Sequence, residues 1–282
     1  MVILKLLRVK QWIKNGFVFV PLIFSMSFLS VSIINSAIAF FAFCFASSFI
    51  YIINDIADRN ADALHPKKKL RPIASGKISV PLAIMIDILC LTTSVALALY
   101  LGQWKVGAVV AGYIILNLFY SWKLKHIALI DVFCIAFGFI LRVYAGAYAV
   151  GVTVSSFLFL VMLFVSLFLA FGKRKSELSK RTRRVLSGYK KETIDKYLTL
   201  LAGAVIVSYA LYTLDPNTLL KFGNRLIYSV IFVVYGIFRY MAELDKSDSY
   251  DDPTDNLYKD KMLIATCVIL VSYIVLIAAN II

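Results

Sequence analysis

The chain has 282 residues, 61% hydrophobic and 16% charged, with a net charge of +14; soluble domains run nearer half apolar and about a quarter charged. The apolar excess falls in blocks of about twenty residues, the length that spans a hydrocarbon core, which excludes a soluble domain. The basic residues lie in short stretches between these blocks, so topology and anionic lipid or substrate phosphates account for the charge and nucleic acid is not expected as a partner.

In chain order, LKLLRVKQWIKNG, residues 4–16, predicts a short amphipathic lead-in carrying Lys5, Arg8, Lys10 and Lys14. Apolar spans are predicted at 16–34, 35–56, 79–101, 104–121, 127–149, 154–172, 197–214, 225–242 and 262–281. The breaks around 30–36 and 102–105 are the least marked. The fold class is therefore all-α, a polytopic membrane protein of nine transmembrane helices in a single domain over 1–282. Short helical loops are expected at 57–78, 173–196 and 243–261. Cys44, Cys90, Cys134 and Cys267 all sit inside apolar runs without CxxC spacing, which suggests neither a zinc site nor a disulfide framework and predicts small apolar core residues.

Charge orients the array. The N-terminal segment and the stretches 57–78, 123–126, 173–196 and 239–261 hold 26 of the 30 lysines and arginines, whereas the intervening connections hold Lys105, Lys221 and Arg225. The positive-inside rule then predicts a multi-pass protein of the cell membrane with its N-terminus cytoplasmic. Nearly all polar chemistry falls on that side, which favours a site at one face over a transport path.

The most informative stretch is NDIADRNADALHPKKKLRP, residues 54–72, where the second span meets water. Asn54, Asp58 and Asp62 recur every four residues and share a helical face, with Asp55 on its flank. Oxygen donors beside Lys67, Lys68, Lys69 and Arg71 suit Mg²⁺ bridging to a diphosphate, because Mg²⁺ takes one or two carboxylates together with phosphate oxygens and water. Asn54 and Asp58 are the expected nearest ligands. Asp55 and Asp62 would support them through water. A solvated acidic helix end is the plainer alternative, and for the cations, simple loop charge. Further on, Tyr120, Lys123, Lys125 and Asp131 cluster where a span begins, and Arg142 follows three helical turns after Asp131. A membrane arginine needs an anionic partner, either a carboxylate of the protein or, the preferred reading, a substrate phosphate. Gly138, Gly146 and Gly151 would allow close approach of helices or of a lipid chain. Lys173 and Arg174, after the sixth span, are candidates for a lipid phosphate, and Lys14 is either an interfacial lysine or a phosphate contact. His65 and His126 stand outside any zinc pattern, and no Walker, GxGxxG or GxSxG motif occurs.

At NDxxDxxxD, matched by Asn54, Asp55, Asp58 and Asp62, the chain resembles the UbiA-type intramembrane prenyltransferases. RVKQWIKN, NDxxDxxxDxxHPxKxxRPIASG, YSxxLKHxxxxDV, GFxLRxxAGA, FGKRKSEL and DDPTDNLYKDK look like the decaprenyl-phosphate phosphoribosyltransferase branch of that superfamily. The resemblance implies nine helices around a central cavity open to the cytoplasm. It also implies transfer of 5-phosphoribose from phosphoribosyl diphosphate (PRPP) to a polyprenyl phosphate, with release of diphosphate, for arabinose donors of cell-wall polymers. By that pattern Mg²⁺ is the cofactor, held by Asn54, Asp58 and Asp62, with Asp55 among the catalytic acids. Lys14, Tyr51, Lys68, Arg71, Tyr120, Lys123, Lys125, Asp131 and Arg142 would surround PRPP, and Lys173 and Arg174 would meet the lipid phosphate. Membrane lipid and polyprenyl phosphate are the partners, and a homo-oligomer is left open. The alternative is a prenyltransferase that moves a prenyl group from its diphosphate to an aromatic or other small acceptor.

Overall fold

A computed structural model describes residues 2–27, 29–178, 188–246, 260–279 and 281. Helices account for nearly all of them, and no strand occurs among the described residues. In chain order the α-helices are α1 Val2–Leu6, α2 Val20–Ser25, α3 Ser30–Ala57, α4 Arg59–Ala63, α5 Val80–Tyr100, α6 Trp104–Trp122, α7 Ile130–Val150, α8 Ser156–Leu178, α9 Lys191–Leu214, α10 Pro216–Phe222, α11 Val230–Lys246 and α12 Lys261–Ala278, with a 3₁₀ segment at Val9–Phe19 between α1 and α2.

Among the described residues, eight stretches are long and apolar enough to cross a membrane, the seventh being Pro216–Asp245. The first predicted span, 16–34, is not one of the eight. It is divided among the 3₁₀ segment, the six-residue α2, and the start of α3 beyond Met26, whose left-handed backbone ends α2. The turn therefore comes earlier than expected, and α3 is 28 residues long. At 1.5 Å per residue that is about 42 Å, against a hydrocarbon thickness of about 30 Å, so its polar end projects past the core. The predicted break after the third span is found: α5 stops at Tyr100 and Gly102 supplies the left-handed turn into α6. The stretch GKRKSEL, expected as loop, continues α8 to Leu178. Residues 179–187 of the basic loop and most of the late acidic motif (247–259) lie outside the described residues.

The chain divides into two compact units. The first comprises Met1–Trp122 and Leu141–Thr153. Its centre is the α3–α5 pair, pinned where Ser94 Oγ donates to the Ala42 carbonyl at 2.8 Å. Val18, Phe43, Ala46, Val106, Val110, Tyr113, Ala145 and Ala149 form its buried core. The second comprises Lys123–Ile140 and Val154–Ile282. There α8 and α9 pair most extensively, around Phe168, Phe171, Ile194, Leu198, Tyr240 and Leu244. Cys44, Cys90 and Cys134 are buried as expected, whereas Cys267 is exposed.

Candidate active site

The acidic motif straddles a helix break. Asp58 ends α3 and precedes α4, yet the helical hydrogen bonds persist across it: its amide donates to Asn54 O at 2.9 Å, and that of Asp62 donates to Asp58 O at 2.8 Å. The fourfold spacing therefore survives, but the four side chains have different surroundings. Asp55 and Asp62 are buried, Asn54 is partly exposed and Asp58 is exposed. Arg8 Nη2 donates to Asp55 Oδ1 at 2.5 Å, and Arg71 Nη1 lies 3.1 Å from the same oxygen. Arg71 Nη1 also donates to Asp62 Oδ2 at 2.5 Å, and Lys68 Nζ stands 3.8 Å from Asp62 Oδ1. Two of the three acids thus gather three cations. No group of three or more His, Cys, Asp or Glu side chains suited to a metal occurs among the described residues. The donors that face outward, Asn54 and Asp58, make a sparse oxygen set, which fits Mg²⁺ completing its shell with phosphate and water better than a cage made wholly of protein.

Arg8 belongs to this arrangement although the sequence reading counted it only as an interfacial charge. Its backbone is left-handed (φ 50°) and its guanidinium lies over the Tyr51 ring at 4.8 Å. The signal was its place in RVKQWIKN, nearly fifty residues before Asp55. Trp12 packs on Phe41 and Phe45 and donates from Nε1 to Ser48 Oγ at 3.0 Å, holding the 3₁₀ segment against α3.

Arg142 is buried in the first unit. Its Nε donates to Asn15 Oδ1 at 2.7 Å and its Nη2 to Tyr113 OH at 3.0 Å, with the guanidinium 4.6 Å from the Tyr113 ring centroid. Asn15, completely buried, in turn donates from Nδ2 to Ser47 Oγ at 3.3 Å. The 3₁₀ segment meets α7 at Gly146 as well, where an added Cβ would lie 1.9 Å from the Val18 carbonyl oxygen. Lys14, partly exposed, is the neighbour of Asn15 in this clamped segment.

Asp131 and Arg174, assigned by sequence to two different ligands, meet each other in the second unit. Both are fully buried, and Arg174 Nε donates to Asp131 Oδ2 at 2.6 Å. Arg174 Nη1 also pairs with Glu177, one turn along α8. Tyr189 OH donates to Asp131 Oδ1 at 2.6 Å. Burial and the adjacent Asp131 charge push the Tyr189 phenol up, so it stays protonated and available as a donor. Lys123 is exposed, and Lys125, Tyr120 and Lys173 are partly exposed. Arg174 therefore has two protein carboxylates in its reach, a bond set the sequence could not show because Asp131 lies 43 residues away.

A profile of the UbiA prenyltransferase family matches residues 18–257. The decaprenyl-phosphate phosphoribosyltransferase of Corynebacterium glutamicum is 36% identical over 271 residues, covering 92% of this chain and 81% of that protein. The protein of the same name from Mycolicibacterium smegmatis is 33% identical, covering 93% and 87%. Among solved structures, a UbiA homologue from Archaeoglobus fulgidus bound to DMAPP and Mg²⁺ superposes with a TM-score of 0.76 at 20% identity over 99% of both chains.

Proposed function

The chain belongs to the UbiA prenyltransferase family, and from that premise we propose that it transfers 5-phosphoribose from PRPP to a polyprenyl phosphate and releases diphosphate. The observation that carries this reading is the nearly full-length likeness to relatives named for that activity, at 30–36% identity. The chemistry of the site agrees with it. Asn54 and Asp58, with Asp62 behind them, are the donors that would hold Mg²⁺, and the ion would supply charge neutralisation of the diphosphate leaving group when bound.

The residues of the chain do the rest. Lys68, Arg71 and Arg8 present positive charge beside those donors, and Asp55 and Asp62 fix where the two guanidiniums point. As the bond from the ribose C1 to diphosphate breaks, positive charge develops at the anomeric carbon and negative charge on the departing oxygens, and the cations stabilise the latter. A phosphate oxygen of the lipid forms the new bond to C1 from the opposite face, which gives inversion. That oxygen is already anionic at neutral pH, so the step requires positioning more than a general base. In the first unit Lys14, Tyr51, Tyr120 and Arg142 are the proposed PRPP-side residues; in the second, Lys123 and Lys125 have that role, Lys173 is the contact to the lipid phosphate, and Asp131 and Arg174 are the buried support of these lysines. The polar side faces the cytoplasm of a multi-pass membrane protein.

Purified protein incubated with Mg²⁺, PRPP labelled in the ribose and polyprenyl phosphate is expected to yield a labelled lipid and free diphosphate, and chelation of the metal to abolish both. A product formed instead from a prenyl diphosphate and an aromatic acceptor would overturn the proposal in favour of the prenyltransferase reading.

A further inference from the structure

We propose that Tyr189 is a positioning residue for this transfer: its hydroxyl locks the Lys123–Asp131 segment, and with it Lys123 and Lys125, onto the start of α7. The proposal rests on the reading above for what Lys123 and Lys125 bind. Its structural basis lies wholly within the second unit.

Leu129 is the residue before α7, and its carbonyl accepts the first helical bonds, from Val132 at 3.1 Å and Phe133 at 3.0 Å. Its own backbone is left-handed, φ 68°, which is costly for a leucine because Cβ crowds the carbonyl. What holds it there is visible. The Leu129 amide donates to Tyr189 OH at 2.6 Å, and the same hydroxyl donates onward to Asp131 Oδ1 at 2.6 Å. Arg174 Nε then fixes the other carboxylate oxygen at 2.6 Å. One hydroxyl thus satisfies a backbone amide and a buried carboxylate two residues apart, and the strained residue is the one that supplies the amide. A second contact brings the same two segments together: an added Cβ on Gly188 would stand 3.0 Å from the Ala128 Cβ. The Tyr189 ring is separately seated edge-on to Phe171, with centroids 6.5 Å apart, so the phenol is aimed by packing and not only by its own hydrogen bonds. Because Lys123 and Lys125 are joined to Leu129 by one short 3₁₀ turn at Leu124–His126, release of Leu129 from its left-handed conformation re-aims both lysines.

Tyr189→Phe keeps the ring and removes the hydroxyl. The expected result is a KM for PRPP raised about tenfold, equivalent to the loss of about 1.4 kcal/mol, with kcat within about twofold of wild type, since the lysines bind and Tyr189 itself touches no reacting atom. The double variant Tyr189→Phe/Leu129→Gly should recover most of the lost affinity, because glycine adopts the left-handed conformation at no steric cost and needs no hydroxyl to keep it there. A purely structural role for Tyr189 predicts no such rescue. A readout independent of turnover is the acylation rate of Lys123 and Lys125 by an amine-reactive reagent, resolved by mass spectrometry. It should change in Tyr189→Phe and return towards wild type in the double variant. An unchanged KM and unchanged acylation in Tyr189→Phe, or a defect that Leu129→Gly leaves as it was, would overturn the proposal. Absence of phosphoribosyl transfer by the wild-type protein would count against the function proposed above, while the acylation comparison would still decide the role of Tyr189.

Discussion

Gly146→Ala tests the clamp between the N-terminal 3₁₀ segment and α7. One methyl group is added, but its carbon would stand 1.9 Å from the Val18 carbonyl oxygen, 2.8 Å from the carbonyl carbon and 3.3 Å from Pro21 Cδ. Comfortable separation requires the backbone of the segment to retreat by well over an ångström. It cannot do so alone, because Asn15, three residues earlier, is fixed between Arg142 at 2.7 Å and Ser47 at 3.3 Å. Overpacking of a close-fitted interior costs about 1–3 kcal/mol, and leaving the buried Asn15 oxygen without its guanidinium adds about 1–3 kcal/mol. The total, roughly 2–6 kcal/mol, takes much of an ordinary stability margin of about 5–15 kcal/mol. Thermal unfolding in detergent should therefore fall by roughly 5–15 °C. Gly112→Ala, at a helical glycine with open space around it, is the matched control and should be neutral or slightly stabilising. Equal unfolding temperatures for the two variants would refute the claim that α7 and the 3₁₀ segment meet backbone to backbone.

Asp58→Ala should lower phosphoribosyl transfer by about 10²-fold or more while leaving the unfolding temperature near that of wild type, because the side chain is exposed; a matching loss of stability would make it a structural acid instead. Arg174→Ala should cost about 3–5 kcal/mol, since it strands Asp131 and Glu177 in a buried setting; a well-folded variant defective only in lipid affinity would return Arg174 to the substrate. Asp87→Leu should stabilise the protein by about 1–3 kcal/mol, because Asp87 Oδ1 is buried in α5 without a hydrogen-bond partner among the described residues; lower stability or lost transfer in that variant would reveal a use for the carboxyl.

The membrane class, the order of most helices and the location of the acidic motif were legible in the chain. Each depends on properties that are local in sequence. An apolar run of spanning length must be a helix in lipid, because every backbone amide has to find its partner within its own segment. A fourfold repeat of Asn54, Asp58 and Asp62 must share a face if the segment is helical, and it does so even across the break at Asp58. The first span was misjudged for an equally local reason. Hydropathy runs unbroken through Met26, and nothing in composition marks the left-handed residue at which α2 ends and the long α3 is set up.

What the sequence could not decide is the partner of each charge. Asp55 and Asp62 read as further oxygen donors, yet Arg8 and Arg71 engage them; Asp131 and Arg174 read as two contacts for two ligands, yet they bond to each other. Arg142 read as a phosphate contact in search of an anion, and its hydrogen bonds run to Asn15 and Tyr113, 127 and 29 residues away. Ion pairs and hydrogen bonds act over a few ångströms, and which side chains come within that reach is set by how helices pack, not by their spacing along the chain. The sequence by itself therefore determined that oxygen donors and cations stand together at a membrane face. Only the tertiary structure decided which of them hold one another in place and which are presented outward.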